Sequence, residues 1–306
     1  MVLKDYLTEK LHGLAGFVLG CAALLLSAVA IPVHAGTPVA HPAMWIAEGP
    51  QGTVYLLGSF HLLKPGVAWQ DSRVEAAMTA SDHVWFEVTD FDDTALAQSM
   101  FIKYGLYASP ELSSHLSAAE IRDLSTALAR HAMTIDNVQR FKPWAVALVL
   151  TQKSAMDAGF DAAGGVDMTL FHKAKVAGKA IAGFETLEQQ ITLLAKVDDK
   201  DGLSFLDETL KDDADGVAKL NMMADAWAAG DNDTLTREIV VEMKREEPDL
   251  YRRMLSDRNT AWLPKVEDML KAPGTSFVIV GDGHLLGEDG LVARLKADGM
   301  SVKALN

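Results

Sequence analysis

The chain has 306 residues, a net charge of −14 and one cysteine, Cys21. The acidic balance, with no run of Lys or Arg forming a stripe along phosphates, excludes a nucleic-acid surface. A lone cysteine excludes a disulfide framework, and because Cys21 lies in the apolar leader, the rest of the chain has no thiol nucleophile or thiolate ligand.

In chain order, Lys4 and Lys10 come first, followed by an uncharged apolar run from Leu14 to Ile31 that ends at Pro32 and Val33-His34-Ala35. This is the layout of a secretory signal peptide cut after Ala35. The alternative is an uncleaved anchor, since about 18 apolar residues can span a bilayer. The chain is therefore expected to be exported, to the periplasm or beyond, and to touch a membrane only through an uncleaved leader. Residues 36–306 read as a single α/β domain, long enough to bury its own core.

After the leader, Met44 to Ala47 and Thr53 to Leu57 are β-prone runs around Glu48-Gly49-Pro50-Gln51-Gly52, which predicts a hairpin. The second run passes into Gly58-Ser59-Phe60-His61. A helix is expected from Asp71 to Ala80, then a strand from Val84 to Val88. Residues 93–179 and 187–272 are mainly helical in periodicity, with a short strand between them, Ala180 to Glu185. Pro143 suits the first turn of a helix, and Gly178 the end of one. The last unit is a continuous apolar strand, Ser276 to Val280, its exit turn Gly281-Asp282-Gly283-His284, a helix from Leu291 to Lys296 and an edge strand from Ser301 to Ala304. Apolar strands separated by helices predict a central mixed sheet with an N-terminal hairpin, covered by helices and carrying a large helical insertion.

One pattern occurs twice: a buried strand, Gly-x-x-His, then Leu-Leu, at Gly58 to Leu63 and again at Gly281 to Leu286. Glycine at a strand end allows a close backbone approach, and a histidine three residues on projects over the sheet edge. Ligands of α/β sheets bind at that edge. The other histidines lack this setting. Glu87 lies in a strand where burial is expected, so its carboxylate requires a cation, a metal or a proton. Glu185 ends its strand similarly, although the helix start beside it offers a structural use for an acid. Arg258 interrupts the otherwise apolar stripe Leu250, Met254, Trp262, Val266; it either snorkels outward or points its guanidinium inward. Asn259 sits beside it, and Pro264 is expected to start a new turn or bend the helix.

These residues carry a resemblance. Tyr55 to Leu63, the strand ending in Glu87, Gly165-Val166-Asp167, Phe184 to Gln189, Asp257-Arg258-Asn259 with Trp262, and Val280 to Leu291 together resemble the TraB/GumN family, over a match from about residue 42 to the C-terminus. The resemblance implies an α/β fold shared with the Tiki metalloproteases and, more distantly, with erythromycin-esterase-like and ChaN-like proteins. In Tiki-type members the paired Gly-x-x-His motifs and a glutamate are associated with divalent-metal-dependent peptidase activity, roles that would fall on His61, His284 and Glu87. The chain departs from the common second motif at Asp282, where many members carry a small residue. That extra acid is a ligand, a partner of one, or merely solvated.

The leading expectation is a metal-assisted hydrolase acting on a peptide or small molecule. His61, His284 and Glu87 would hold Mn²⁺, Co²⁺ or Zn²⁺, with Glu87, Glu185 and Arg258 as catalytic groups and Gly58, Gly281, Asp282 and Asn259 supporting them. Two alternatives stand beside it: a metal-independent, histidine-based esterase-like hydrolase, and a periplasmic protein that binds haem, a metal or another ligand without turnover. No Gly-x-Ser-x-Gly nucleophile elbow is present, which argues against a serine hydrolase of the usual α/β type.

Overall fold

In the computed structural model, which describes residues 40–90, 93–109, 111–196, 199–212 and 216–305, the first two β-prone runs pair as a hairpin. The leader, its cut site and its cysteine lie outside the described residues. Among the described residues no helix is long and apolar enough to cross a membrane. The strands are β1 (Met44–Glu48), β2 (Gly52–Ser59), β3 (His83–Phe86), β4 (Ala180–Gly183), β5 (Gly274–Gly281) and β6 (Ser301–Leu305). The longer helices, in chain order, are α1 (Ser72–Ala80), α2 (Thr94–Gly105), α3 (Ala118–Arg130), α4 (Pro143–Asp157) and α5 (Val166–Val176). They continue with α6 (Leu187–Ala195), α7 (Asp199–Asp212), α8 (Gly216–Ala229), α9 (Asp257–Lys271) and α10 (Leu291–Ala297).

The six strands form one mixed sheet in the order β4-β3-β5-β2-β1-β6. Within it β4, β3, β5 and β2 are mutually parallel, while β1 runs antiparallel to both β2 and β6. Successive residues of a strand face opposite sides of a sheet, so the unbroken burial of Ser276 to Val280 means that both sides of β5 are covered. Helix α1 packs on β5, α5 on β3 and β4, and α9 on β2 and β5. The four parallel strands end at the same edge. The register places Gly58 beside Val280, Ser59 beside Gly281, Phe86 beside Ile279 and Gly183 beside Phe86. Both Gly-x-x-His turns and both candidate glutamates therefore leave the sheet together.

The described chain falls into two compact units. One holds the sheet and comprises described residues 40–89, 164–186 and 221–305; the other, residues 90–163 and 187–220, is helical. Of the helical stretches read from sequence, α5 and residues 221–272 thus belong with the sheet. The helical unit has its own core, in which Leu124 and Leu128 of α3, Trp144 and Leu150 of α4, and Leu206 of α7 are buried together. Helix α3 starts with a capping box, Ser117 with Glu120, and α4 with Pro143 in its first turn. His131, one of the histidines outside the Gly-x-x-His motifs, is largely buried where α3 ends. Its Nδ1 lies 2.7 Å from Asp157 and its Nε2 3.1 Å from Ser154, which ties α3 to α4.

Two sequence readings in the sheet unit change. Strand β3 stops at Phe86, so Glu87 stands just past the strand end rather than inside it. Pro264 lies within a continuous helix, α9, and the irregularity is upstream, where residues Arg252–Ser256 form a π-helical turn. A second π-helical segment, Thr236–Val241, precedes it, and both pack against the turn Asp282–His284. Such bulges add a residue to a turn and re-aim the side chains that follow.

Candidate functional site

The site is built at the shared edge of the parallel strands, from residues of the sheet unit alone. Its centre is Arg258, in the first turn of α9 and only 6% exposed. The guanidinium points inward: Nη2 donates to Glu87 Oε2 at 2.6 Å and to Glu185 Oε2 at 2.9 Å, and Nε reaches Glu185 Oε1 at 3.0 Å. Nη1 donates to the Met254 carbonyl at 3.0 Å, which anchors it to the π-helical turn. It also lies 2.9 Å from His284 Nε2. Arginine has only donors, so Nε2 of His284 is the acceptor there and the proton of that ring is on Nδ1. Nδ1 in turn donates to Asn259 Oδ1 at 2.7 Å, and Asn259 Nδ2 donates to the Asp289 carbonyl at 2.9 Å. The Trp262 ring covers both groups, 4.4 Å from the His284 ring centre and 4.6 Å from the guanidinium carbon.

Electrostatics follow from this packing. Burial pushes the His284 imidazole down to about 3, against the pull of Glu87, so it is neutral at physiological pH. Burial also opposes ionisation of Glu87, but Arg258, the two histidines and the Gly281 N–H, which donates to Oε1 at 2.9 Å, together hold its carboxyl well below the usual carboxylate range. For Arg258, burial works against the charge and is outweighed by Glu87 and Glu185. Glu185 gives both oxygens to Arg258 and accepts from Trp262 Nε1 at 3.0 Å, so it orients Arg258.

The first histidine is placed differently. The His61 side chain is 58% exposed and its Nδ1 lies 2.7 Å from Asp167 Oδ2. Asp167, in the first turn of α5, is buried and also accepts from Ser59 Oγ at 2.7 Å. The start of α5 is fastened to the motif itself, since Val166 N donates to the Phe60 carbonyl at 3.1 Å. The Asp167 charge raises His61 to about 9, outweighing desolvation, so the ring is an imidazolium at neutral pH.

The two motifs meet at Gly281. A Cβ there would lie 3.3 Å from His61 Nε2 and 3.3 Å from Glu87 Oε1, so these two atoms are no more than twice that distance apart. Glu87 Oε1 is also 3.7 Å from His284 Nε2. The structure thus brings together His61, His284, Glu87, Arg258 and Glu185, with Asn259 and Gly281 in supporting contacts. Asp167, Ser59 and Trp262 complete the site, yet none was among the candidate site residues. Asp167 could have been found from its place in Gly165-Val166-Asp167, a buried acid opening a helix; Ser59 has no such signal.

Gly58 has a different neighbour. Asp282, read as a ligand, a partner of one, or merely solvated, is only 2% exposed. Its carboxyl rests on Gly58 so closely that a Cβ at 58 would sit 1.6 Å from Oδ1. Gly58→Ala is expected to destabilise the protein by about 1–3 kcal/mol through overpacking, and adding Asp282→Ala should recover much of that loss. Urea denaturation of both variants checks this; equal losses in the single and double variants would disprove the contact.

Residues 43–304 match the sequence model of the TraB/PrgY/gumN family. A protein of Treponema pallidum (strain Nichols) described as uncharacterised is similar at 22% identity, over 80% of this chain and 77% of that protein's own length. No solved structure matches the chain significantly.

Proposed function

Since the chain belongs to the TraB/PrgY/gumN family, we propose that it is a hydrolase that holds a divalent metal ion through His61, His284 and Glu87. One observation carries this reading. Each histidine is fixed through Nδ1 by an oxygen, Asp167 Oδ2 or Asn259 Oδ1, leaving Nε2 near Glu87 Oε1. That is how metal-binding histidines are oriented by their outer partners. Two imidazoles and a carboxylate suit Mn²⁺, Co²⁺ or Zn²⁺.

The fit requires one exchange. Arg258 Nη1 occupies the lone pair of His284 Nε2, and among the described residues no three His, Cys, Asp or Glu side chains stand as a ready ligand set. To hold an ion, His284 Nε2 would have to give up its contact with Arg258 Nη1 and His61 would have to lose its Nε2 proton. Glu185 retains Arg258 through two further donors, so the guanidinium stays beside the site. When bound, the ion supplies a water acidic enough to attack near neutral pH and polarises the substrate carbonyl. Arg258 is then the cation that meets negative charge developing on the substrate. With both imidazoles spent on the ion, a carboxylate, Glu185 or the second oxygen of Glu87, would be the group to take and return a proton.

Elemental analysis after loading with Mn²⁺, Co²⁺ or Zn²⁺ tests the reading. About one equivalent is expected in the wild type and a large loss in both His61→Ala and His284→Ala; equal loading of all three proteins would overturn it. The Arg258–His284 contact favours a second reading, in which the guanidinium stays in place. The exposed His61, backed by Asp167, then acts on water without a metal in its deprotonated form, so this activity would rise with pH toward about 9. Hydrolysis that survives exhaustive chelation would select it.

A further inference from the structure

The helical unit holds a set of groups with chemistry of its own. His131, at the end of α3, stands between two residues of α4: its Nδ1 lies 2.7 Å from Asp157 Oδ2 and its Nε2 3.1 Å from Ser154 Oγ. Ser154 and Asp157 are three apart in one helix, so both project from the same face toward the ring. A carboxylate only accepts, so the proton of the neutral ring is on Nδ1, and Nε2 is left to accept from the Ser154 hydroxyl. Burial works against the Asp157 charge and is outweighed by Lys153, which pairs with the other carboxylate oxygen, and by His131. The ring is largely buried and Ser154 half-buried. Backbone strain marks the same place. Ala132, the next residue, has a φ of 55°, and among the described residues no other non-glycine has a positive φ. That conformation closes α3, with Met133 N donating to the Leu128 carbonyl, and costs a residue with a Cβ about 1–2 kcal/mol. Such outliers gather where function fixes the backbone.

We propose that Ser154 is a nucleophile, activated by His131 and Asp157, that takes the acyl group of an activated ester. Hydroxyl, imidazole and carboxylate stand in the order and at the distances that nucleophile, base and orienting acid require. As Ser154 Oγ bonds to the carbonyl carbon, its proton passes to His131 Nε2, and Asp157 holds the imidazolium so formed. The bond from that carbon to the leaving oxygen then breaks, and Nε2 returns the proton to that oxygen. The products are an acyl ester of Ser154 and the free alcohol of the donor. The surroundings set the substrate class. The backbone N–H groups of Ala158, Gly159 and Phe160, which follow the serine, already donate to the carbonyls of Ser154, Met156 and Ala155. A donor aimed at the developing oxyanion is worth about 10²–10³ in rate, and none of these three is left to supply it. Ser154 is therefore matched to esters whose alcohol departs easily, such as aryl esters, rather than to peptide bonds. It stands inside a helix, without a Gly-x-Ser-x-Gly elbow, so only the fold reveals the set. This site is independent of the metal-dependent reading above.

The experiment treats the folded wild type, in EDTA, with a biotinylated fluorophosphonate and maps the modified peptide by mass spectrometry. In this reaction Oγ displaces fluoride from phosphorus, the Oγ proton leaves by way of His131, and the adduct is stable enough to count. About one equivalent on Ser154 is expected, absent from Ser154→Ala and formed at least about tenfold more slowly in Asp157→Asn, which keeps the size of the acid but not its charge. Wild type unfolded in urea, where the three groups are dispersed, should leave Ser154 unmodified. Melting temperatures show that each variant is folded, and should Asp157→Asn fail to fold, His131→Gln serves the same comparison. A clasp that merely joined α3 to α4 would leave Ser154 unlabelled in the folded protein. That result, or equal labelling rates in the wild type and the folded variant, defeats the proposal.

Discussion

Arg258→Met is expected to remove about 3–5 kcal/mol of stability, the loss that follows when a buried ion cluster is left without one sign of charge. In the wild type one guanidinium serves Glu87 and Glu185, both largely shielded from solvent. Methionine fills similar space but leaves two carboxylates without a cation. The pH dependence of the loss identifies its cause. Because the folded-state pKa of Glu87 is depressed, its contribution is complete above the ordinary glutamate range and fades as pH falls toward the depressed value. In the variant the guanidinium is gone while burial still opposes ionisation, so the Glu87 carboxyl holds its proton to higher pH than in the wild type. The deficit between the two proteins should therefore be largest near pH 8 and shrink toward pH 5. Adding Glu87→Gln and Glu185→Gln should restore much of the stability. Urea denaturation at several pH values measures all of this; a loss below about 1 kcal/mol that is independent of pH would show that the cluster contributes little.

The second large effect concerns acid. His284 has a folded-state pKa of about 3 against 6.5 for an ordinary imidazole. Between these values the unfolded chain binds a proton that the folded one refuses, so stability is full above pH 6.5 and declines as pH falls. The slope approaches ~1.4 kcal/mol per pH unit for this one group. His61 works in the opposite direction: raised to about 9, it stabilises below pH 6.5, and that contribution is lost as pH rises through 9. With more than half of its side chain open to solvent, screening makes its effect the smaller of the two. In chelator-containing buffer, His284→Gln should flatten the acid limb between pH 6.5 and 4. An unchanged limb would mean that the proton uptake belongs elsewhere in the chain.

The sheet was legible in the sequence because its signals are local. The hairpin declared itself by two β-prone runs around Gly49-Pro50, and β5 by uninterrupted apolarity from Phe277 to Val280. The convergence of His61 and His284 was readable because each ends such a strand. What could not be read was partnership. The period-four stripe placed Arg258 among apolar residues but left its direction open, and the direction is set by carboxylates just past the ends of β3 and β4. Asp167, noted only within Gly165-Val166-Asp167, was given no site role for the same reason: its neighbours in sequence do not show that Ser59 and His61, on β2 and its exit, will reach it. The π-helical turns were also hidden, since an extra residue in a helical turn leaves the composition unchanged.

The order of the strands has a kinetic consequence. β2 and β5, whose pairing sets the two motifs side by side, come from opposite ends of the described chain, and their parallel register covers eight residues on each strand. Such a pair gains nothing until a very long loop has closed, the situation that slows folding most. The β1–β2 hairpin can form early, but its apolar inner edge then waits for a partner that is synthesised much later in the chain. During that interval the exposed edge of β2 is open to wrong pairings with other chains, and folding yield should depend more on protein concentration and holding factors than on the final stability of the native state.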